Sequence, residues 1–197
     1  MNVPGAPRLI LASTSAYRRA LLERLRVPFE CVAPAVDELR LPGEPAAQMS
    51  RRLARLKAET VASTRTGCIV IGSDQVAVRG ETLLGKPGTV DRCVGQLRES
   101  SGREVKFLTA VHLVNGLTGR FESHVDQTLV RFRTLTDDEI ARYVAADEPL
   151  DCAGGFKAES LGIALFESIE SIDPTALTGL PLIWLSGALR RAGIQVP

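Results

Sequence analysis

Three hydroxyl residues, Ser13, Thr14 and Ser15, separate an apolar run from an amphipathic segment that begins with Tyr17, Arg18 and Arg19. A turn of this kind between strand and helix presents backbone N–H groups and hydroxyl donors to one point, a recurrent way of holding phosphate. The two arginines have the wrong sign for a helix N-terminus, whose partial positive charge makes a cation there unfavourable by about 0.3–1 kcal/mol. A bound anion would remove that penalty. Capping by Ser15, with both arginines turned into solvent, explains the same residues without a ligand, and the segment alone leaves both readings open. Neither G-x-x-x-x-G-K nor G-x-G-x-x-G occurs, so the common phosphate loops are absent.

Acids and lysines recur at other points. In Cys68-Ile-Val-Ile-Gly-Ser-Asp74 a buried strand is expected to end at Gly72, with the Asp74 carboxylate at its tip, where α/β sheets place ligands. Asp74 there could hold a divalent ion or take a proton from water. Lys86, set between Gly85 and Pro87, has its direction fixed by a rigid turn, and a positioned ammonium is useful beside phosphates. Asp37 and Glu38 follow the second strand, and with Asp74 they could supply the oxygen ligands that Mg²⁺ or Mn²⁺ prefers. Arg55 and Lys57 lie on the next helix. Cys152-Ala-Gly-Gly-Phe-Lys157-Ala-Glu159 pairs two glycines, which permit a backbone to approach a ligand, with an aromatic, a cation and an acid. Solvated loop charges and tight turns are the bland counterparts of all these features. Only four of the 24 basic residues are lysines (Lys57, Lys86, Lys106 and Lys157), so a lysine here can mark a place that needs a compact ammonium.

These residues need a frame. Apolar runs and alternation suggest strands at 8–12, 29–33, 68–73, 76–84, 104–114, 120–133 and 162–170; helical periodicity suits 16–26, 46–63, 89–99, 136–146 and 180–192. Early βα alternation followed by a long hairpin at 115–119 argues for an α/β fold with a mixed sheet, in one domain over residues 1–197. Thr136 and Glu139 make a capping box, Pro181 suits a first helical position, and residues 1–7 look like a loose tail.

Composition narrows the function classes. A net charge of +1 gives no general footprint for a nucleic acid polymer, and no apolar run is long enough to span a bilayer, so no membrane partner and a cytoplasmic location are expected. Cys31, Cys68, Cys93 and Cys152 are widely spaced, without a C-x-x-C or a histidine cluster, and read as reduced thiols. His112 and His124 flank the hairpin and read as strand residues.

In order along the chain, Leu-Ala-Ser-Thr-Ser-Ala-Tyr-Arg-Arg (11–19), Val-Asp-Glu (36–38), Arg-Leu-Lys-Ala (55–58), Ile-Gly-Ser-Asp-Gln-Val (71–76), Gly-Lys-Pro (85–87), Ser-Gly-Arg (101–103), Cys-Ala-Gly-Gly-Phe (152–156) and Gly-Leu-Pro-Leu (179–182) resemble the Maf family of nucleotide pyrophosphatases. The resemblance runs from Leu9 to about Leu189. Ala16 departs from the family's usual proline. The resemblance implies a Maf/ITPase-like fold, a mixed β-sheet flanked by helices with a cleft between two lobes. It further implies hydrolysis of a nucleoside triphosphate to the monophosphate and pyrophosphate with a divalent metal, Mg or Mn. On that basis Ser13, Arg18 and Lys57 hold the triphosphate. Lys86 offsets charge on the leaving group, Glu38 and Asp74 bind the metal, and Asp74 is the proton acceptor. Lys157 is placed among the substrate contacts, and the family precedent points to a homodimer.

The family divides at the positions of Tyr17, Gln75 and Glu159. Arginine, threonine and glutamine there typify a branch acting on dTTP and UTP; this chain resembles instead the branch acting on 7-methyl-GTP. The chemistry agrees, because guanine offers a pair of N–H donors that a carboxylate such as Glu159 can accept. The N7-methylated ring is cationic, and an aromatic face from Tyr17 would attract it by about 0.5–2 kcal/mol. The expected activity is therefore hydrolysis of 7-methyl-GTP. The rivals are a dTTP/UTP pyrophosphatase of the same family, a nucleotide-sensing regulator of cell division and, less favoured, an RNA-cap-binding module.

Overall fold

The computed structural model describes residues 7–197; of the expected N-terminal tail, residues 1–6 lie outside that range. The elements run β1 (Arg8–Leu11), α1 (Ala16–Glu23), β2 (Phe29–Cys31), α2 (Ala46–Thr64), β3 (Cys68–Arg79), β4 (Thr82–Leu84), α3 (Val90–Ser100), β5 (Glu104–Asn115), β6 (Phe121–Phe132), α4 (Asp137–Asp147), β7 (Phe166–Ser171) and α5 (Leu182–Arg191). Seven strands form one sheet in the order β2-β1-β3-β5-β6-β7, with β4 on β3. β1 is parallel to β2 and β3, whereas β3–β4 and β6–β7 are antiparallel, so the sheet is mixed, as expected. Among the described residues no helix is long and apolar enough to cross a membrane.

The chain divides into two compact units. One holds the described residues up to Asp74 with Thr109–Asp126 and Asp173–Pro197; the other holds Gln75–Leu108 and Gln127–Ile172. In the first, side-chain alternation splits the central strands between two apolar layers. Leu9, Leu11, Ile69 and Ile71 face Leu21 and Leu22 of α1 and Leu182, Leu185 and Leu189 of α5. Ile10, Ala12, Cys68 and Val70 face Ala58 and Val61 of α2. Helices on both faces explain why β1 and the start of β3 read as continuous apolar runs. The second unit centres on Phe156, whose ring meets Phe107, Phe132 and Phe166 edge to face.

Three local expectations are corrected. The strand expected to stop near Gly72 continues as β3 to Arg79, and only after a turn at Gly80 (φ 58°) does the chain return as β4. Ser73 and Asp74 interrupt the apolar pattern but not the strand, since both polar side chains find buried partners. The first residues of the strand expected at 162–170 form a 3₁₀ turn, Leu161–Leu165. A side chain at Gly162 would lie 2.4 Å from the Lys157 carbonyl oxygen, so the backbone is folded too tightly there for extended pairing. Pro181 is the N-cap of α5, not its first helical residue: its carbonyl accepts the Leu185 N–H at 3.0 Å. Buried Thr175 and Asp173 then accept the Leu182 and Ile183 N–H groups, satisfying donors that the helix start leaves open.

Other local readings hold. Thr136 and Glu139 form the capping box, Asn115 and Gly119 close the hairpin, and the four cysteines are free. His112 and His124 lie in β5 and β6.

Gly72 sets the separation of β3 and α2. A Cβ built on it would stand 2.1 Å from the Ala54 carbonyl oxygen and 2.9 Å from the Ala58 Cβ. Gly72→Ala must push the helix off the sheet, and a loss of about 1–3 kcal/mol is expected. Gly85→Ala, where nothing lies within 4 Å, serves as the comparison. Thermal denaturation of the two variants should show a lowered midpoint for the first and little change for the second.

Candidate active site

Lys57 stands at the centre of the first unit's polar residues. It lies midway along α2, and the close approach allowed by Gly72 brings its ammonium to β3, where Asp74 follows Gly72 on the same face. The Nζ is 2.7 Å from Asp74 Oδ1 and 2.9 Å from Glu38 Oε2. Lys57 and Asp74 are only 4% and 6% exposed. Glu38 reaches in from the loop after β2, with its side chain 56% exposed. Burial lifts the Asp74 carboxyl above its ordinary value, against the opposing pull of Lys57 and of the Arg18 guanidinium.

The loop that brings Glu38 inward is tied to α2. Buried Glu44 accepts from Arg52 Nε at 2.6 Å and Nη2 at 2.8 Å, and Arg52 Nη2 also donates to the Leu39 carbonyl. Arg40 in turn donates twice to the Glu44 carbonyl. Asp37 closes a local turn through the Leu39 N–H and stays exposed, so of the two neighbouring acids only Glu38 joins Lys57. Arg55 pairs in solvent with Glu59.

At the other turn, the capping reading of the hydroxyl segment holds for Ser15 and Arg19 but not for Arg18. Ser15 caps α1 by accepting the Arg18 N–H, and buried Ser13 accepts the Ser15 N–H at 3.1 Å. The first turn of α1 carries no acid. Arg19 goes to solvent and pairs with Glu23. Arg18 does not; its Nε donates to the Gly179 carbonyl at 3.0 Å, and its charge acts on Asp74 and Glu38. That carbonyl also accepts from Ser73 Oγ at 2.9 Å, so the residue preceding Asp74 and the side chain of Arg18 share one backbone oxygen. Gly179 has φ +113°, and a Cβ there would crowd Arg18. Tyr17 is half-buried in the same turn of α1.

The remaining predicted residues lie in the second unit. Gln75 is half-buried in β3. Lys86 is exposed on a turn pinned at both sides: Gln96 donates to the Gly85 carbonyl at 3.1 Å and the Gly88 N–H donates to the Leu150 carbonyl at 2.9 Å. The paired glycines, which could permit a backbone to approach a ligand, lie against core side chains. A Cβ on Gly154 would meet Phe107 and Phe156 at 3.3 Å, and one on Gly155 would meet Cys93 Sγ at 3.1 Å. Lys157 donates through Nζ to the Asp147 carbonyl at 2.6 Å, and Glu159 is exposed two residues on.

Among the described residues no group of three or more His, Cys, Asp and Glu side chains could hold a metal ion. Two carboxylates, Glu38 and Asp74, do meet at one ammonium. That donor set does not make an all-protein cage, but it fits a hard divalent cation that takes its other ligands from substrate phosphate and water.

Sequence reasoning missed Gly72, Ser73 and Gly179 as parts of this arrangement. A glycine inside a strand pattern is a recognised sign of close backbone approach, which would have exposed the first. Nothing in the sequence marks the carbonyl of Gly179 as an acceptor.

Residues 8–192 match the family model described as Maf-like protein. The chain is 51% identical over 189 residues to a 7-methyl-GTP pyrophosphatase of Pseudomonas putida, covering 96% of this chain and 98% of that protein. It is 52% identical over 190 residues to one of Aromatoleum aromaticum, again covering 96% and 98%. To one of Pseudomonas aeruginosa it is 50% identical over 191 residues, covering 97% of this chain and the whole of that relative. With a family model matched over residues 8–192 and relatives about half identical over nearly their full length, the chain belongs to the Maf family.

Proposed function

We propose that this protein is a pyrophosphatase that hydrolyses 7-methyl-GTP to 7-methyl-GMP and pyrophosphate. The observation that carries the reading is a buried carboxylate, Asp74, held 2.7 Å from an ammonium and raised in pKa by burial, in a chain about half identical to relatives of that name. Such a carboxylate is a suitable proton acceptor for water attacking the α-phosphorus, a contribution of about 10²–10⁴-fold. The Lys57 ammonium favours the ionised form of Asp74, against the burial that disfavours it. Arg18, aimed by the Gly179 carbonyl, and Ser13 bind phosphate oxygens, and Lys86 stabilises the pyrophosphate as it leaves. Gln75 and Glu159 contact the base, with the Tyr17 ring against the cationic N-methyl purine.

Charge balance supports a role for a divalent cation. Asp74 and Glu38 are offset by Lys57 and Arg18, so these four groups sum to zero and leave the substrate's own negative charge uncompensated. Mg²⁺ or Mn²⁺ held by Glu38 and Asp74 would supply Lewis-acid stabilisation of phosphate charge. A cytoplasmic location suits a house-cleaning enzyme acting on modified nucleotides, and a homodimer is the assembly we expect.

Pyrophosphate release measured with 7-methyl-GTP, GTP, dTTP and UTP should favour the first by kcat/KM; a clear preference for dTTP or UTP would move the chain to the other branch. Asp74→Asn should lower kcat by at least about 10²-fold with nucleotide binding and folding retained. A wild type that binds nucleotide but releases no pyrophosphate with Mg²⁺ or Mn²⁺ would instead make it a sensor. Glu159→Gln replaces a double acceptor by a mixed amide and should cost 7-methyl-GTP about 1–3 kcal/mol of transition-state binding relative to UTP. Competition assays between the two nucleotides read that change directly.

A further inference from the structure

Glu159 is exposed, yet a carboxylate that reads two base donors at once must be presented within about 0.5 Å of its working position. The turn that carries it is anchored on both sides by residues of the C-terminal half of α4. On one side, the Lys157 N–H donates to the hydroxyl of Tyr143 at 3.0 Å and the Lys157 ammonium donates to the Asp147 carbonyl at 2.6 Å. On the other, Ser160 Oγ donates to the Asp147 carboxylate at 2.7 Å. The turn closes on itself where the Ser160 N–H meets the Lys157 carbonyl at 3.2 Å. Gly162 packs against that same carbonyl, where a Cβ would come within 2.4 Å. Tyr143 and Asp147 are four residues apart and so share one helix face.

The geometry points to Asp147 and Tyr143 as positioning residues for base specificity, which set where the Glu159 carboxylate is presented to the purine. This rests on the reading that Glu159 contacts the base. Lys157 then has a defined part as well: its ammonium ties the turn to the end of α4 and leaves base recognition to its neighbour two residues on. A cation on the last-turn carbonyl of a helix is also a common C-terminal cap. Capping alone, however, asks nothing of Ser160, whose bond to the Asp147 carboxylate lies on the far side of Glu159.

The test compares Ser160→Ala, Asp147→Ala and Glu159→Gln for kcat/KM with 7-methyl-GTP and with UTP, alongside thermal midpoints. Ser160→Ala and Asp147→Ala should lower kcat/KM for 7-methyl-GTP by about three- to tenfold through KM, leave UTP unchanged, and so lower the ratio in the direction of Glu159→Gln. Ser160→Thr, which keeps the hydroxyl, should restore the ratio. Generally weakened folding would lower both substrates together and leave the ratio at the wild-type value. If Glu159→Gln lowers the ratio while Ser160→Ala and Asp147→Ala do not, the anchoring role is overturned and base recognition stands. If Glu159→Gln itself leaves the ratio unchanged, base recognition by Glu159 falls, and the positioning role falls with it.

Discussion

The ammonium of Lys57, buried between Asp74 and Glu38, is the interaction around which the first unit's polar residues are organised. Neither partner of the Lys57–Asp74 contact could be buried charged by itself, since desolvation of a lone ion costs several kcal/mol. Together they are tolerable: removal of Lys57 would leave the Asp74 carboxylate buried without its ammonium, a change that typically costs about 3–5 kcal/mol, whereas Lys57 without the Asp74 charge keeps its contact with Glu38. The pair exists because α2 lies against β3 at a distance only glycine permits at position 72. A backbone constraint thus decides an electrostatic one. The surplus is visible in the carboxyl of Asp74, where burial outweighs the attraction of two cations.

Much of this frame was legible in the residues. The parallel strands β1 and β3 are apolar on both faces, and the capping box at Thr136 and the hairpin at 115–119 carry their own local chemistry. Ser73 and Asp74 misled because strand periodicity is read from apolar residues, while these two are polar and buried. Their partners, the carbonyls of Ala110 and Gly179 for one and Lys57 for the other, come from distant parts of the chain. Pro181 was displaced by one residue for a related reason. The donors it was expected to spare are satisfied by Asp173 and Thr175, which no local pattern connects to α5.

Residue types were more informative than their positions suggested. In a chain that prefers arginine, the lysine at 57 occupies a place where a compact ammonium contacts two carboxylates at once, and the lysine at 157 reaches a single helix-end carbonyl. A planar guanidinium makes broader contacts, as Arg52 does with both oxygens of Glu44. The paired glycines 154 and 155 show the opposite case. Their freedom was legible, but its use was not, because the same absence of side chains serves a ligand or a phenylalanine core equally well.

The cations at the start of α1 separate into two kinds once their partners are known. Arg19 has its compensation within the helix, in Glu23 one turn on, and so carries no message about a ligand. Among the described residues, Arg18 has a carbonyl at Nε, with the charges of Asp74 and Glu38 as its electrostatic counterweight. A guanidinium fixed by one nitrogen is preorganised, since much of its rotamer entropy is lost before any anion binds. The carbonyl that fixes it is shared with Ser73, whose neighbour is the proposed base. Movement of the 176–179 turn would therefore disturb Arg18, the proposed phosphate-binding cation, and the strand bearing Asp74 at the same time, and the hydrogen bonds of Asp173 and Thr175 around the start of α5 restrain that turn.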